Sequence, residues 1–169
     1  MKYIGGLKKL YYRMQYFYYH VSGVANKKVL IKSIRSEVLY GGVSLPQREF
    51  YAISKAHKKM AWGNVMVGRF QEYKYQYCIF SGTFVKNLYR RRHLAEKLVK
   101  ARLVFCEKEK FENVIVPIQS VNLGSLKLFQ KCGFTILEKE NWTPWMKKEA
   151  SLFNSDMLMA HYVIKKPVL

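Results

Sequence analysis

Acidic residues are scarce in this chain of 169 residues, which carries 11 Asp and Glu against 30 Lys and Arg and has a formal charge of +19. The first acidic residue is Glu37. Such an imbalance bears on partners and solubility rather than on fold. It favours an anionic partner, which could be a cofactor, a substrate, nucleic acid or an acidic membrane surface.

Cysteine and histidine lack the spacing of a metal site or of a disulfide framework. Cys78, Cys106 and Cys132 are odd in number and far apart, which is typical of reduced thiols in a cytoplasmic protein. The four histidines form no H-E-x-x-H or similar pattern. We therefore expect no metal and a cytoplasmic location.

Long uncharged runs are also missing. The longest, residues 14–26, is too short to span a bilayer, and it follows basic residues without a small-residue cleavage site. We expect neither a transmembrane helix nor a signal peptide. Half of the residues are hydrophobic, which is enough for one core, so residues 1–169 are expected to form a single domain.

The first 26 residues show a helical pattern and predict an N-terminal helical arm. A basic polar face accompanies the apolar stripe, which leaves three roles open: packing on the sheet, dimerisation, or contact with an anionic membrane. The stripe recurs at spacings of three and four and comprises Ile4, Leu7, Tyr11, Met14, Tyr18 and Val21.

The next segment predicts a short strand, a break and a helix. Residues 28–35 are typical of a strand, and Gly41, Gly42 and Pro46 are expected to interrupt the chain. Residues 47–59 predict a second helix from the spacing of their apolar side chains.

Residues 62–70 and 75–85 predict antiparallel neighbours. Tyr73, Tyr75 and Tyr77 alternate with polar residues, so they either cover one face of a sheet or stack on a base or sugar ring. Near the C-terminus, residues 141–155 carry two tryptophans in a loop-like segment, interpreted as a lid on a pocket or a subunit contact. Residues 157–165 predict the last strand.

The central feature is an apolar run that leads through a basic turn, residues 89–93, into a helix. This arrangement leaves several backbone N–H groups unpaired at the positive end of the helix dipole. The turn therefore suits a pyrophosphate. One face of the helix carries Leu94, Leu98, Ala101 and Phe105.

A second helix start follows a buried strand. Residues 114–118 are continuously apolar, as expected for a strand covered on both faces, and Pro117 should interrupt its pairing. Asn122 can cap the following short helix, and Gly133 ends it before a strand that opens at Phe134.

Two segments resemble the GNAT superfamily of N-acetyltransferases. Residues 85–95, VKNLYRRRHLA, are similar to its acetyl-CoA-binding pattern V-x-P-x-[YF]-[RQ]-x-x-G-x-[GA]. Residues 122–134, NLGSLKLFQKCGF, resemble its second block, N-x-x-[AS]-x-x-[LF]-[YF]-x-[KR]-x-G-F. Residues 85–134 are therefore identified as an acetyl-CoA-binding core.

The resemblance implies a mixed α/β fold, with flanking helices and a twisted, mostly antiparallel sheet that splays between its fourth and fifth strands. It implies acetyl-CoA as the acyl donor and transfer of the acetyl group to a primary amine. The residues it assigns to acetyl-CoA are Phe84, Val85, Arg90, Arg91, Arg92, His93, Leu94, Ala95, Asn122, Ser125 and Phe129.

Two departures from the family pattern bear on chemistry. His93 stands at the glycine of the first loop, where we interpret its side chain as pointing to solvent. Phe129 stands where many members carry a tyrosine thought to protonate the leaving thiolate, and phenylalanine cannot donate a proton. The role of that tyrosine is therefore vacant or moved.

The strand at residues 75–85 holds no Asp, Glu or His that could act as the base. Asn122, Ser120 and His161 are the candidate catalytic residues. Other routes for the amine proton use Glu49, Glu72, or water relayed through Ser81, Thr83 or Ser120.

Two alternatives to an acetyltransferase remain: a binding protein that keeps the fold without catalysis, and a nucleic-acid-associated, tRNA-directed protein. A homodimer is also left open. The acceptor could be a small molecule, a peptide or a nucleotide-linked amine, and the excess of positive charge favours an anionic one.

Overall fold

A computed structural model describes residues 17–19, 29–40, 43–54, 57–68, 77–151 and 156–164. These residues form a sheet of eight strands in the order β1-β2-β3-β4-β5-β6-β8-β7. The strands are β1 Phe17–Tyr19, β2 Leu30–Tyr40, β3 Val43–Ile53, β4 Lys59–Val67, β5 Tyr77–Val85, β6 Asn113–Gln119, β7 Thr135–Leu137 and β8 Met157–Val163. The α-helices are α1 Leu94–Lys108, α2 Leu123–Lys131 and α3 Pro144–Ala150.

The sheet is antiparallel except where β5 runs parallel to β6. Those two strands pair only from Tyr77 opposite Asn113 to Ile79 opposite Ile115, and beyond that point they part. Pro117 lies two residues into the parted segment, where a missing N–H removes no bond to β5. The mixed α/β fold with a splayed sheet is therefore confirmed. The parted strands are the fifth and sixth because β1 adds one at the edge.

Helix α1 covers one face of the sheet through the apolar stripe expected from the sequence. Leu94, Leu98, Ala101 and Phe105 are all buried. They pack in one core with residues of β3, β4, β5 and β6. This packing holds α1 in place on the sheet. Since β5 leads into α1 through a short turn, the N-terminus of the helix lies near the end of that strand.

The predicted helix at residues 47–59 is wrong. Residues 47–53 continue β3, which pairs with β2 on one side and β4 on the other. Side chains alternate between faces in a strand, and Phe50 and Ala52 are fully buried beneath α1. Pro46 does not break the chain either. It lies in β3 one residue before pairing with β4 begins at Gln47, so its missing N–H is tolerated there.

The N-terminal helix is wrong where it can be compared. Residues 17–19 form β1, which pairs antiparallel with β2. The other residues of the predicted arm lie outside the described residues.

The alternating tyrosines can be compared at one position, because Tyr73 and Tyr75 lie outside the described residues. Tyr77 is fully buried and donates its hydroxyl hydrogen to Glu149 Oε2 at 2.7 Å, so it covers a sheet face rather than offering a surface on which a base could stack.

The loop predicted at residues 141–155 contains α3 instead. Thr143 caps this helix by accepting the Met146 N–H, and Pro144 occupies its first position. Trp142 is buried and donates from Nε1 to Leu137 O at 3.0 Å, while Trp145 stacks on Tyr77 with ring centroids 4.6 Å apart. Both tryptophans therefore pack on the chain's own sheet, on the face opposite α1.

Candidate functional site

A cavity of about 560 Å³ opens where β5 ends and α1 begins. Its walls come from the end of β5, the basic turn, the first turn of α1, and one side of α2. The lining residues are Thr83, Phe84, Val85, Tyr89, Arg90, Arg91, His93, Leu94, Ala95, Glu96, Asn122, Gly124, Ser125, Leu128 and Lys131. Two segments that are about 30 residues apart in sequence thus meet around one space.

Most of the residues assigned to the acyl donor lie in these walls, and two do not. Arg92 lies outside the lining, with its guanidinium 5.6 Å from the centroid of the Tyr89 ring. Phe129 is buried in the core and packs edge-on against Phe134, with ring centroids 5.1 Å apart. The ring of Phe129 therefore contributes to the core rather than to the cavity.

The N-terminus of α1 carries no side-chain cap. His93 precedes the helix in the left-handed region, with φ of 55°, and its side chain makes no capping hydrogen bond. Lys97 donates the first helical hydrogen bond, to His93 O at 3.0 Å, so the N–H groups of Leu94, Ala95 and Glu96 have no partner within the helix. Arg91 also has a positive φ, 59°. This turn presents main-chain donors to the cavity.

The N-terminus of α2, in contrast, has a side-chain cap. Asn122 Oδ1 accepts the Ser125 N–H at 3.2 Å, as expected from the sequence. The side-chain amide of Asn122 keeps its N–H donors, and both residues line the cavity. Asn122 can therefore hold a carbonyl oxygen or a water while it caps its own helix.

The charge around the cavity is positive in balance. Arg90 donates from Nε to Val85 O at 3.4 Å, which directs it back along the turn. Glu96 is the acid in the wall, and it accepts from Lys100 and Lys131, each at 2.9 Å. These two ammonium groups lower the pKa of Glu96 to about 2, so its charge is present and compensated at neutral pH. His93 also lies 3.3 Å from Glu96, with its side chain 60% exposed.

The three candidate catalytic residues are not brought together. Ser120 follows the parted end of β6 and donates to Asp156 Oδ2 at 2.5 Å, outside the cavity lining. His161 lies in β8 opposite Ile115, at the end of β6 that still pairs with β5, and its Nε2 contacts Asn113 Oδ1 at 2.9 Å. Burial lowers the pKa of His161. Only Asn122 lines the cavity.

The proposed alternative bases do not lie in the cavity either. Glu49 accepts the Tyr51 hydroxyl and lies opposite Asn64 in the sheet. Glu72 lies outside the described residues. Within the part of the chain that the structure describes, the hydroxyl-bearing residues that line the cavity are Thr83, Tyr89 and Ser125.

Sequence reasoning missed several wall residues because they meet through tertiary packing. Glu96 lies in the first turn of α1 and Lys131 in the last turn of α2, and their ion pair depends on how those helices meet. Tyr89 and Leu128 lie inside the two motifs, at their [YF] and [LF] positions, so the sequence did carry a signal for both. Among the described residues, no group of three or more His, Cys, Asp or Glu side chains is placed to hold a metal ion.

Comparison with known families decides the assignment. Residues 34–134 match the model of the Acetyltransferase (GNAT) family, which is more than half of the chain. The chain belongs to the GNAT acetyltransferase family. The match begins in β2 and ends just after α2, so it contains the parted strands and every residue that lines the cavity.

Solved structures show the same fold at low sequence identity. A GNAT-family acetyltransferase from Staphylococcus aureus Mu50 has a TM-score of 0.56 and 13% identity, over 70% of this chain and 68% of the other. An acetyltransferase from Streptococcus agalactiae 2603 has the same score and identity, over 70% and 67%. A GNAT-family acetyltransferase from Elizabethkingia anophelis, solved with acetyl-CoA bound, has a TM-score of 0.55 and 13% identity, over 70% and 76%.

No curated protein matches this chain. Among the described residues of this GNAT-family chain, no helix has both the length and the hydropathy needed to cross a membrane.

Proposed function

We propose that this chain is an N-acetyltransferase that uses acetyl-CoA and acetylates a primary amine. One observation carries the proposal: the uncapped N-terminus of α1 and the end of β5, which has parted from β6 beyond Ile79, line the same cavity. The first feature suits a diphosphate, and the second leaves a slot for an extended arm. Acetyl-CoA contains both groups and supplies an activated acetyl thioester.

The basic turn would hold the diphosphate. The N–H groups of Leu94, Ala95 and Glu96 point from the first turn of α1, where the helix dipole favours negative charge. Arg90 and Arg91 add full charges at the same wall. The positive φ of Arg91 supports this role, because alternating backbone conformations bring successive N–H groups to one concave side.

The parted strands would hold the arm. Beyond Ile79, β5 keeps its pairing with β4 and has no pairing with β6, so main-chain groups on that side are open to a ligand. Phe84 and Val85 line the cavity at this point, and their N–H groups are suited to polarise a thioester oxygen. Asn122 would fix the arm or an ordered water from the α2 side.

The acceptor would approach near Phe84, whose side chain is 43% exposed. Phe84 contacts Trp62 with ring centroids 4.5 Å apart, which forms an aromatic wall beside the thioester end of the cavity. Acetyl transfer to an amine needs only a weak proton acceptor when the amine is already partly neutral, and water in the cavity serves that purpose. The charge of +19 favours an acceptor that carries negative groups, such as an acidic peptide or an amino-sugar nucleotide.

Calorimetry with acetyl-CoA and a thiol-release assay over a panel of primary amines test this function together. We expect saturable binding and release of coenzyme A with at least one amine, giving an acetylated product by mass spectrometry. Absence of acetyl-CoA binding by the folded protein would disprove the proposal. The panel should contain neutral and anionic amines of matched size, since a preference for the anionic member supports the proposed acceptor class.

A binding protein without catalysis is the second candidate, and the phenylalanine at position 129 favours it. No tyrosine hydroxyl is available at that position to protonate the leaving thiolate. Binding of acetyl-CoA without thiol release for every amine would select this alternative. Because Arg90, Arg91 and Arg92 are exposed, RNA affinity should be measured beside it, and a steep fall with salt would indicate a nucleic-acid role.

A further inference from the structure

Helix α1 carries a fully buried guanidinium next to the cavity. Arg102 donates from Nε to Leu98 O at 3.3 Å, from Nη1 to Asn64 O at 3.2 Å and from Nη2 to Thr83 Oγ1 at 2.7 Å. All three acceptors are neutral. Across residues 29–40, 43–54, 57–68, 77–151 and 156–164, no carboxylate pairs with Arg102.

A buried charge without a counterion is costly, and an apolar side chain of similar volume is often as stable at such a position. The surroundings nevertheless make room for this one. A Cβ added to Gly63 would lie 3.0 Å from Arg102 Nη1, and the guanidinium lies 4.4 Å from the centroid of the Phe80 ring. Burial lowers the pKa of Arg102 to about 10, which keeps the side chain charged at neutral pH. The arrangement therefore places a positive charge in hydrogen-bond contact with the Thr83 hydroxyl.

Thr83 lies between this guanidinium and the cavity. It follows Gly82, which has a φ of 60°, at the irregularity where the pairing of β4 and β5 shifts register. Such bulges redirect the side chains that follow them. Because the Thr83 oxygen accepts from Arg102 and the residue lines the cavity wall, its own O–H is left to donate into the cavity.

We propose that Thr83 is a catalytic residue whose hydroxyl donates a hydrogen bond to the thioester carbonyl oxygen of the acyl donor, and that Arg102 is the positioning residue that orients this hydroxyl. The inference rests on the proposed function. Strand β5 leads into the turn that would hold the diphosphate, so an arm extending from that turn back along β5 passes Val85 and Phe84 before it reaches Thr83. A hydroxyl bonded to a cation is a stronger donor, and its bond strengthens as negative charge develops on the oxygen.

In the transfer, the amine nitrogen bonds to the acetyl carbon and the carbon–sulfur bond breaks with its electron pair on sulfur. The proton of the amine passes to water. Thr83 gives up no proton in this scheme, and its hydrogen bond stabilises the charge on the carbonyl oxygen while the bonds exchange. This contribution acts on the carbonyl oxygen, so it does not require a proton donor at Phe129.

The inference can be tested without knowing the acceptor, by infrared spectroscopy of acetyl-CoA labelled with ¹³C at the carbonyl. Binding to the wild-type protein should move the carbonyl stretch to lower frequency, because a hydrogen bond weakens the C=O bond. Thr83→Ser should keep that shift, and Thr83→Val should lose most of it while calorimetry shows acetyl-CoA affinity within about threefold of wild type, less than the 1.4 kcal/mol of a tenfold change. Thr135→Val, the same exchange at the exposed first residue of β7, is the matched control and should keep the shift.

Arg102→Met removes the charge at similar volume, and thermal unfolding checks that this variant folds. Its stretch should move toward that of Thr83→Val, because the hydroxyl has lost its orientation. An unshifted stretch in the bound wild type, or an equal shift in Thr83→Val, overturns the inference and leaves the proposed function standing. A wild-type protein that does not bind acetyl-CoA overturns both.

Discussion

The two helices that begin at the cavity differ in how their first N–H groups are used. Helix α2 begins with Asn122, whose side chain accepts the Ser125 N–H. Helix α1 begins with His93, whose side chain caps nothing and instead lies 3.3 Å from the Glu96 carboxylate. One N-terminus is therefore satisfied by its own sequence, and the other keeps its donors for an external anion.

This difference separates stability from binding within one wall. Unpaired donors at the start of a helix are costly unless water or a ligand takes them, and a bound anion there stabilises the helix. Changes at α1 should therefore alter affinity more than folding. Changes at the cap of α2 should do the reverse.

The largest effect is expected for Arg90→Glu, which reverses a charge at the wall of the α1 turn. Acetyl-CoA affinity should fall by more than tenfold, or about 1.4 kcal/mol, by calorimetry. Lys127→Glu is the matched control, because it makes the same charge reversal at an exposed position of α2 outside the cavity lining. Equal affinities for the two variants would remove the α1 turn as the anion site.

The next effect is on stability and tests the cap of α2. Asn122→Ala removes the acceptor of the Ser125 N–H and should lower the free energy of unfolding by about 1 kcal/mol. Denaturant titration in the absence of ligand measures it. Asn141→Ala, at an exposed asparagine away from both helix starts, is the control and should change stability less. If Asn122→Ala were neutral in folding and strongly impaired in binding, the contrast between the two helices would be reversed.

The central half of the molecule could be predicted because its signals are local. Four residues spaced along one face of α1 specify a buried stripe, and a side-chain oxygen before three free N–H groups specifies a cap. Pro117 marks a strand that cannot pair fully, and the sheet does part near it. These features depend on neighbours within a few residues, so the cavity walls at the motifs could be predicted as well.

The flanks could not be predicted in the same way. Phe50, Ile53 and His57 fit a helical spacing, and only the ladders to β2 and β4 show that residues 47–53 are extended. A start signal for α3 was present, since Thr143 precedes Pro144, and the interpretation as a loop passed over it. The Arg102 site depends on a bulge in β5 meeting α1, which no local pattern records.

A smaller effect should distinguish charge from conformation within the α1 turn. Arg91 and His93 both have a positive φ, which glycine adopts without strain, so each exchange to glycine should leave stability within about 1 kcal/mol of wild type. Arg91→Gly also removes a cation and should weaken acetyl-CoA binding by about two- to fivefold, as expected for an exposed charge pair. His93→Gly should leave affinity unchanged. Equal losses in both variants would show that turn conformation, rather than charge, controls binding.

The smallest effect is expected for Glu96→Gln, which should change binding and stability in opposite directions. The exchange frees Lys131 from its ion pair and removes the acid from the wall, so acetyl-CoA affinity should rise slightly at neutral pH. The free energy of unfolding should fall by a few tenths of a kcal/mol, since both lysine partners of Glu96 are exposed and ion pairs open to solvent are worth little. Glu107→Gln, an exposed acid near the other end of α1, is the control.

The stability part of this effect has a defined pH range. Because the folded-state pKa of Glu96 is about 2, below its ordinary value of 4.5, its contribution is fully present above about pH 4.5 and is lost as the pH falls toward 2. The difference in unfolding free energy between wild type and Glu96→Gln should therefore shrink over that range. The contradicting result is a difference in unfolding free energy that stays constant down to pH 2 while the gain in affinity remains. In that case the ion pairs of Glu96 order the cavity wall without stabilising the fold. Glu96 would then serve binding, like the rest of the α1 turn.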